Sequence, residues 1–356
     1  MVAGAAGTLV NDGSITGSAG VFLKAGGIIT NYGRVTGTGF NAIALTAGGN
    51  VTNASGAALV GYTGGIYVGP NVAGTITNSG SISQTATSGY GIELLFGGIV
   101  TNSAGASISG TAFGVLVKGG PATLTTAGTI SGGTYAVDFE NSAINLLVVQ
   151  PSAAFVGGVF GGSGTTNTLE LASGTGAIGG IGTGSITNFQ TLTVDAGADW
   201  TLTGTNTIAN VIANGTVAVS GSFDVSGAID PSSVGVLKLD AGAILEVAAA
   251  LGTATQMLFQ PSSELILDSA DLFGVNVGSL NYAGPQLQGF DFGDIIDIKN
   301  FAAAGATYTF NASSGLLQVS NDVGQTASLG FQISSLGSGS FQVTGDGATG
   351  IFITRN

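Results

Sequence analysis

Residues 28–37, IITNYGRVTG, contain the phrase that decides the fold of this chain, because close variants of it return at regular intervals. The variants are LVNDGSITG at 9–17, NVTNASGAALVG at 50–61, TITNSGSIS at 75–83, IVTNSAGASISG at 99–110 and LTTAGTISG at 124–132. The asparagine of the phrase recurs in one frame, at Asn11, Asn31, Asn53, Asn78 and Asn102, with gaps of 20, 22, 25 and 24 residues. Thr126 occupies the next expected position. A repeat this short cannot bury its own apolar face, so neighbouring copies must stack.

Each repeat contains three short strand candidates. The first ends at the asparagine, the second follows a glycine-containing turn, and the third is an alternating run such as GIELLFGG at 91–98. In that run Ile92, Leu94 and Phe96 alternate with Glu93 and Leu95, which predicts one face toward the interior and one toward solvent. Three strands per coil of about 23 residues predict an all-β fold, a parallel β-helix or β-solenoid.

The recurring asparagines have a structural explanation. A side-chain amide at the same corner of every coil can hydrogen-bond to the amides above and below it, and it can satisfy backbone groups that a turn leaves unpaired. We therefore expect Asn11, Asn31, Asn53, Asn78 and Asn102 to form a structural ladder. Such a ladder needs no ligand.

The repeats become less regular along the chain, and this change predicts three regions. Residues 1–141 form regular solenoid repeats with the asparagine ladder, and residues 142–230 continue as less regular coils. Residues 231–356 form a C-terminal β region that could act as a cap or an assembly module. Its last part resembles antiparallel hairpins or final coils.

Composition excludes several functions. The chain of 356 residues is 44% hydrophobic and only 7% charged, which is the reverse of a disordered sequence. Its net charge of −13, with six scattered basic residues, argues against nucleic acid and against an anionic membrane surface as partners. Cysteine and histidine are absent, so disulfides and thiolate metal sites are excluded. No apolar run approaches the length of a membrane helix, so we expect no membrane span.

One acidic segment is a calcium candidate. The stretch GFDFGDIIDIKNF at 289–301 carries Asp291, Asp294 and Asp297 at three-residue spacing. Calcium binds six to eight oxygen ligands, which carboxylates supply. However, alternation places Asp294 and Asp297 on opposite faces of an extended strand. Solvated turn carboxylates are the alternative interpretation.

Enzymatic activity is not expected. Asp138 and Glu140 are two residues apart and can share a face, but neither has a basic neighbour in sequence. Glycoside hydrolysis requires two carboxylates that flank the scissile bond. Trp200, the one tryptophan, is expected to pack in the core or at a coil edge rather than to serve as a platform for a sugar.

The phrase TNxGxIxG and the segments FQTLTVDAGADWTLTGTNT at 189–207 and AGAILEV at 241–247 resemble bacterial autotransporter passengers and related β-strand-repeat surface proteins of alphaproteobacteria. The residues 293–332 are similar to the stretch that closes such proteins. The resemblance covers most of the chain and implies a β-solenoid on the cell surface or in the extracellular matrix. MVAGAAGTLVNDG at 1–13 shows no signal peptide, and we expect the chain to be a trimmed portion of a longer protein.

These observations predict an extracellular structural protein. The first repeat begins without a charged or helical cap, and bare strand edges template further pairing, so we expect head-to-tail assembly into fibres with the chain itself as partner. One alternative is a monomeric, rod-like adhesin that binds extracellular polysaccharide or a host surface. A less favoured alternative is a carbohydrate-active β-helix enzyme, for which carboxylates with Arg or Lys in one groove would be the sign.

Overall fold

The computed structural model describes residues 2–3, 6–140, 143–164 and 166–356. Nearly all of its regular structure is β, and parallel strands form a β-solenoid of about 11 turns of ~23 residues, which confirms the predicted fold class. The chain divides into two compact units, Met1–Glu170 with Ser185–Gln190 and Leu171–Gly184 with Thr191–Asn356. The predicted boundary at 141/142 lies outside the described residues, and the one at 230/231 falls inside the second unit.

Every regular coil of the first unit contributes one strand to each of three parallel stacks. The first stack consists of β2 (Gly7–Asn11), β5 (Gly27–Asn31), β8 (Gly49–Asn53), β11 (Gly74–Asn78), β14 (Gly98–Asn102), β17 (Ala122–Thr126) and β19 (Asn145–Val149). The second stack consists of β3 (Ser14–Gly17), β6 (Arg34–Gly37), β9 (Ala58–Gly61), β12 (Ser81–Gln84), β15 (Ser107–Gly110) and the first part of β18 (Thr129–Phe139).

The third stack carries the alternating runs. It consists of β1 (Val2–Ala3), β4 (Val21–Leu23), β7 (Ile43–Leu45), β10 (Gly64–Val68), β13 (Tyr90–Leu94), β16 (Phe113–Val117), the second part of β18, β20 (Ala154–Phe160) and β23 (Ile186–Thr187). Its strands pair in register, so equivalent residues of successive coils lie roughly 4.8 Å apart in columns.

The core of the first unit consists of aliphatic columns, one or two from each stack. In the second stack the inward column is Val35, Leu59, Ile82, Ile108 and Ile130, all 0% exposed. In the third stack Ile92 and Leu94 are fully buried, as the alternation predicts. Phe96 was expected to continue that inward face, but it is 46% exposed, which makes that expectation wrong. The reason is that β13 ends at Leu94 and a turn with left-handed glycines follows at Gly97 and Gly98.

The strands of the second unit are also mostly parallel, and two of them are long, with 16 and 14 residues, because successive strands of a coil merge there without a turn. Its parallel strands are β22 (Gly174–Gly179), β24 (Thr191–Val194), β25 (Ala198–Ala213), β26 (Thr216–Ile229), β27 (Val236–Leu239), β28 (Ile244–Ala250), β29 (Gln256–Phe259), β30 (Glu264–Leu267), β31 (Gln286–Gln288) and β32 (Ile295–Ile298). The strand β21 (Thr168–Leu171) spans the sequence boundary of the two units.

Antiparallel hairpins follow the last parallel coil of the second unit. They are formed by β33 (Thr307–Asn311), β34 (Leu316–Ser320), β35 (Thr326–Phe331), β36 (Phe341–Gly345) and β37 (Ile351–Arg355). Phe290, Phe331 and Phe341 pack together there, with ring centroids 5.1–6.3 Å apart, and the Arg355 guanidinium lies 4.8 Å from the centroid of the Phe341 ring. This less regular C-terminal β region agrees with the predicted loss of repeat regularity.

Two short 3-10 turns, Ala270–Leu272 and Ile333–Ser335, are the helical segments among the described residues. Within the described part of the chain, therefore, no helix has the length and apolar character that crossing a membrane requires.

Trp200 is 1% exposed, and its Nε1 donates a hydrogen bond to the carbonyl oxygen of Ala172 at 2.9 Å. The sole tryptophan is thus a core residue of the second unit.

Candidate functional site

The five asparagines of the repeat phrase stack above one another at the ends of the first strands. The Nδ2 of Asn31 donates to the Oδ1 of Asn53 at 2.9 Å, and the Nδ2 of Asn53 donates to the Oδ1 of Asn78 at 2.9 Å. The same bond joins Asn11 to Asn31 at 2.7 Å and Asn78 to Asn102 at 2.9 Å. The first four amides also donate to a carbonyl of the turn in their own coil, for example from Asn31 to Gly33 at 3.1 Å. In every amide–amide bond the donor belongs to the earlier coil and the acceptor to the following one, so the ladder runs in one direction.

Thr126 ends this ladder. Its hydroxyl oxygen accepts from the Nδ2 of Asn102 at 3.3 Å and donates to the carbonyl of Gly128 at 3.2 Å, so the hydrogen bond turns back into its own coil. A threonine hydroxyl has one hydrogen to donate, and here it is used within its own coil, so Thr126 has no donor left for the next coil.

A second amide ladder begins at the opposite end of the first strands and was not predicted from the sequence. Asn145 and Asn167 are fully buried. The Oδ1 of Asn145 accepts from the backbone N–H of Ala122 at 3.2 Å, and the Oδ1 of Asn167 accepts from the N–H of Asn145 at 3.0 Å. Gln190 continues the series by accepting from the N–H of Asn167 at 2.8 Å. The sequence signal that could have predicted this ladder is an asparagine at the start of two apolar segments, NLLVV and NTLEL, which begin 22 residues apart.

The three aspartates of the calcium candidate have separate surroundings. Asp294 is 2% exposed, and its two carboxylate oxygens accept from the backbone N–H groups of Ser263 at 3.1 Å and Asp291 at 2.9 Å. Asp294 therefore supports the turn before β32. Burial raises its pKa, although these hydrogen bonds oppose the rise. Asp297 lies on the outward face of β32, paired in register with Ile266.

No group of three or more acidic side chains in the described residues is placed to hold a metal ion together. The structure therefore does not bring Asp291, Asp294 and Asp297 into one ligand set. The physical reason is that both oxygens of the buried Asp294 already accept from backbone N–H groups, while Asp297 lies on the outward face of β32.

The outward face of the third stack, here called the third-strand face, combines aromatic and acidic side chains. Its central column in register consists of Phe22, Ala44, Tyr67, Glu93, Leu116, Asp138 and Phe160. A flanking column consists of Tyr90, Phe113 and Tyr135. Aromatic rings and carboxyl groups thus share one face, although the outer face of a solenoid strand was expected to be plainly solvated.

An apolar groove of ≈ 380 Å³ opens at one part of this face. It is lined by Ala19, Phe22, Phe40, Asn41, Ala44, Tyr67 and Tyr90. The ring of Tyr90 lies over Gly64, where a Cβ would come within 2.1 Å of a ring carbon. Glycine at position 64 is therefore required for this placement of the ring.

A small hydrogen-bond network fixes the polar part of the groove. The Oδ1 of Asn41 accepts from the hydroxyl of Thr63 at 2.9 Å and from the hydroxyl of Tyr90 at 3.2 Å. Burial, together with the negative charge of Glu93, raises the pKa of Tyr90, so its hydroxyl remains protonated and able to donate. The groove wall is therefore held in place before any ligand arrives.

An acidic segment lies farther along the same face. Glu93 is 8% exposed and forms an ion pair with Lys118, with 3.1 Å between the Glu93 oxygen and Nζ. Asp138 is 7% exposed, and its Oδ1 has no hydrogen-bond partner among the described residues. Burial, reinforced by the charge of Glu140, raises the pKa of Asp138 to about 6 despite the opposing charge of Lys118. The basic neighbour that the sequence did not reveal is therefore supplied by the preceding coil.

Comparisons with known proteins do not indicate a function for this chain. The chain matches no known protein family, and a search of curated proteins also found no match.

Proposed function

We propose that this chain is a secreted, non-enzymatic structural protein whose β-solenoid stacks end to end with further copies into surface or matrix fibres. The observation that supports this proposal is the in-register parallel stacking, in which one-directional amide bonds join successive coils. At the last parallel coil, the hairpin strands β35 and β37 already pair with β31 and β32, so end-to-end stacking would bring this hairpin region of one copy against the first coil of the next. Contacts of this head-to-tail kind generate open filaments when they do not close into rings.

The first described coil is the place at which the assembly step can be tested. The strand β2 pairs with β5, and β3 pairs with β6, and neither pairs with another described strand. A copy that stacks end to end on this coil would pair with backbone N–H and C=O groups of this kind. Val10, an outward residue of β2, is 56% exposed and adds apolar surface at this edge.

The low surface charge is consistent with close approach of copies. Only 7% of residues are charged, and the outward column of the second stack consists mainly of hydroxyl and small side chains, Thr16, Thr36, Val60, Ser83, Ser109 and Ser131. Repulsion between copies is weaker on such a surface than on a highly charged one. The resemblance of the repeat phrases to bacterial surface proteins supports an extracellular or cell-surface location.

Negative-stain electron microscopy and sedimentation of the purified chain test this function. We expect fibres whose length grows with protein concentration. Val10→Lys places a charge at the edge strand and should shorten or abolish the fibres, because edge lysines block strand addition. Thr52→Lys is the matched control, since Thr52 lies in the same outward column as Val10 but within the stack.

Two results would contradict the proposal. The first is a chain that stays monomeric at high concentration. The second is fibres of the Val10→Lys variant that are as long as those of the Thr52→Lys control, because assembly would then use another surface.

A further inference from the structure

The aromatic rings that line the groove do not stack on one another. Farther along this face, Phe113 stacks on Tyr135 with ring centroids 6.4 Å apart, and Tyr135 contacts Phe160 at 6.0 Å. In contrast, Phe22, Phe40, Tyr67 and Tyr90 take part in no ring–ring contact among the described residues. Phe40 is 61% exposed at the rim. The faces of these rings are therefore not covered by one another.

Polar groups are interleaved with the rings. The Oδ1 of Asn41 is occupied by Thr63 and Tyr90, whereas its Nδ2 donates to no atom of the described residues. The hydroxyl of Tyr67 likewise makes no hydrogen bond within the described part of the chain. Groups that orient a bound molecule are typically few and convergent in such a concave, mainly apolar site. This arrangement suits a ligand with an apolar face and hydroxyls at its edge, rather than a purely apolar one.

The charges around the groove favour a neutral ligand. All seven lining residues are uncharged. The nearest acid in register with Tyr67 is Glu93, and Lys118 neutralises it in the ion pair. Lys24, two residues after Phe22, is exposed and disfavours a cation. The overall charge of −13 disfavours a polyanion.

From these features we infer that the groove is a binding site for a neutral glycan. Pyranose rings stack their C–H faces on Tyr67, Tyr90 and Phe22, and ring hydroxyls accept from the Nδ2 of Asn41 and bond to the hydroxyl of Tyr67. The electron-rich faces of aromatic rings attract the weakly positive C–H groups of a sugar. The groove lies within one unit of one chain, so this site does not depend on fibre assembly.

Isothermal titration calorimetry of the full chain tests the site. The neutral probes are hexasaccharides of β-1,4-glucose, β-1,3-glucose and N-acetylglucosamine, and the charged probes are hexagalacturonate and the glucosamine hexamer. We expect at least one neutral probe to bind with one site per chain. Tyr67→Ala should weaken that binding by about tenfold or more, because a stacking platform is lost. Tyr32→Ala is the matched control, since Tyr32 is 58% exposed and does not line the groove.

A second variant separates binding from folding. Asn41→Asp keeps an oxygen that accepts from Thr63 and Tyr90, but it removes the amide donor, so it should weaken glycan binding while circular dichroism stays unchanged. Binding of none of the neutral probes would overturn the inference. So would equal effects of Tyr67→Ala and Tyr32→Ala, binding of only a charged probe, or a Tyr67→Ala variant that changes only the association of chains.

Discussion

At the scale of single residues, the most unusual group is the Asp138 carboxyl. It lies at an outward position of β18, yet it is nearly buried, and one of its oxygens has no hydrogen-bond partner among the described residues. A buried carboxylate without such a partner is costly, so the neutral acid is favoured and the pKa rises to about 6. The folded state therefore holds this proton more tightly than the unfolded chain does.

This shift predicts a particular dependence of stability on pH. Because the folded pKa of Asp138 is raised, its contribution to the free energy of unfolding falls as pH rises from about 4 to about 6, and the loss is complete above that range. Asp138→Asn removes the ionisation, so near pH 7.5 it should raise the free energy of unfolding by roughly 1–3 kcal/mol. Near pH 4 the two proteins should be similar.

Urea unfolding followed by far-ultraviolet circular dichroism at both pH values measures this difference. Asp12→Asn is the control for charge, since Asp12 is an exposed aspartate of the same unit. An equal gain at both pH values, or an equal gain in the control, would show that burial of Asp138 is not the cause.

At the scale of elements, the asparagine ladder joins strands that are far apart in sequence. Each buried amide serves two neighbours: it accepts from the preceding coil and donates to the following one. It also bonds to the turn that leads into the second strand of its own coil and to the second strand of the following coil. The ladder therefore fixes both the register of the first stack and the corner where each coil bends.

Loss of one amide should therefore affect several groups at once. Asn53→Ala leaves the Nδ2 of Asn31 and the Oδ1 of Asn78 without their ladder partners, and both lie in a fully buried column. We expect a loss of about 2–4 kcal/mol in the free energy of unfolding, as is typical when a buried hydrogen-bond network is broken.

Asn50→Ala is the matched control for this variant. Asn50 belongs to the same strand, β8, but its side chain is exposed, so its loss should change stability by less than about 0.5 kcal/mol. Hydrogen exchange of the amides in β5, β8 and β11 gives an independent measure. Faster exchange confined to the Asn53→Ala variant is expected, and equal effects of the two variants would argue against the ladder as a source of stability.

At the scale of the whole molecule, the net charge influences how readily copies of the chain associate. Of the six basic residues, Lys118, Lys238 and Lys299 form ion pairs with acidic neighbours, whereas the net charge remains −13. Copies therefore repel one another through net charge of a single sign. Any condition that removes negative charge should favour association.

Acidification should consequently promote assembly. The isoelectric point is ≈ 4.1, so light scattering should rise as pH is lowered from 8 toward 4 while circular dichroism remains that of a β protein. Added salt at pH 7 should act in the same direction, because it screens the same repulsion. Scattering that is greatest at pH 8 would mean that acidic groups make attractive contacts between copies.

The sequence allowed the solenoid to be predicted because its signal repeats. Asparagines in one frame, glycine turns and period-two alternation all point to the same stacked coil, and columns such as Val35, Leu59 and Ile82 follow directly from it. The second ladder at Asn145 and Asn167 was not predicted, because its amides lie at the beginning of a strand, or directly before it, instead of at its end. Phe96 was assigned to the core because alternation does not show where a strand stops.

The sequence by itself determined the coil, its apolar interior and the corner amides, because each depends on residues that recur at fixed spacing within the repeat. Only the tertiary structure decided which outward residues meet. Tyr67 and Glu93 become neighbours because they pair in register, and Lys118, two residues after the register partner of Glu93, reaches Glu93 from the following coil. The groove and the raised pKa of Asp138 arise from that register, since each depends on side chains contributed by different coils.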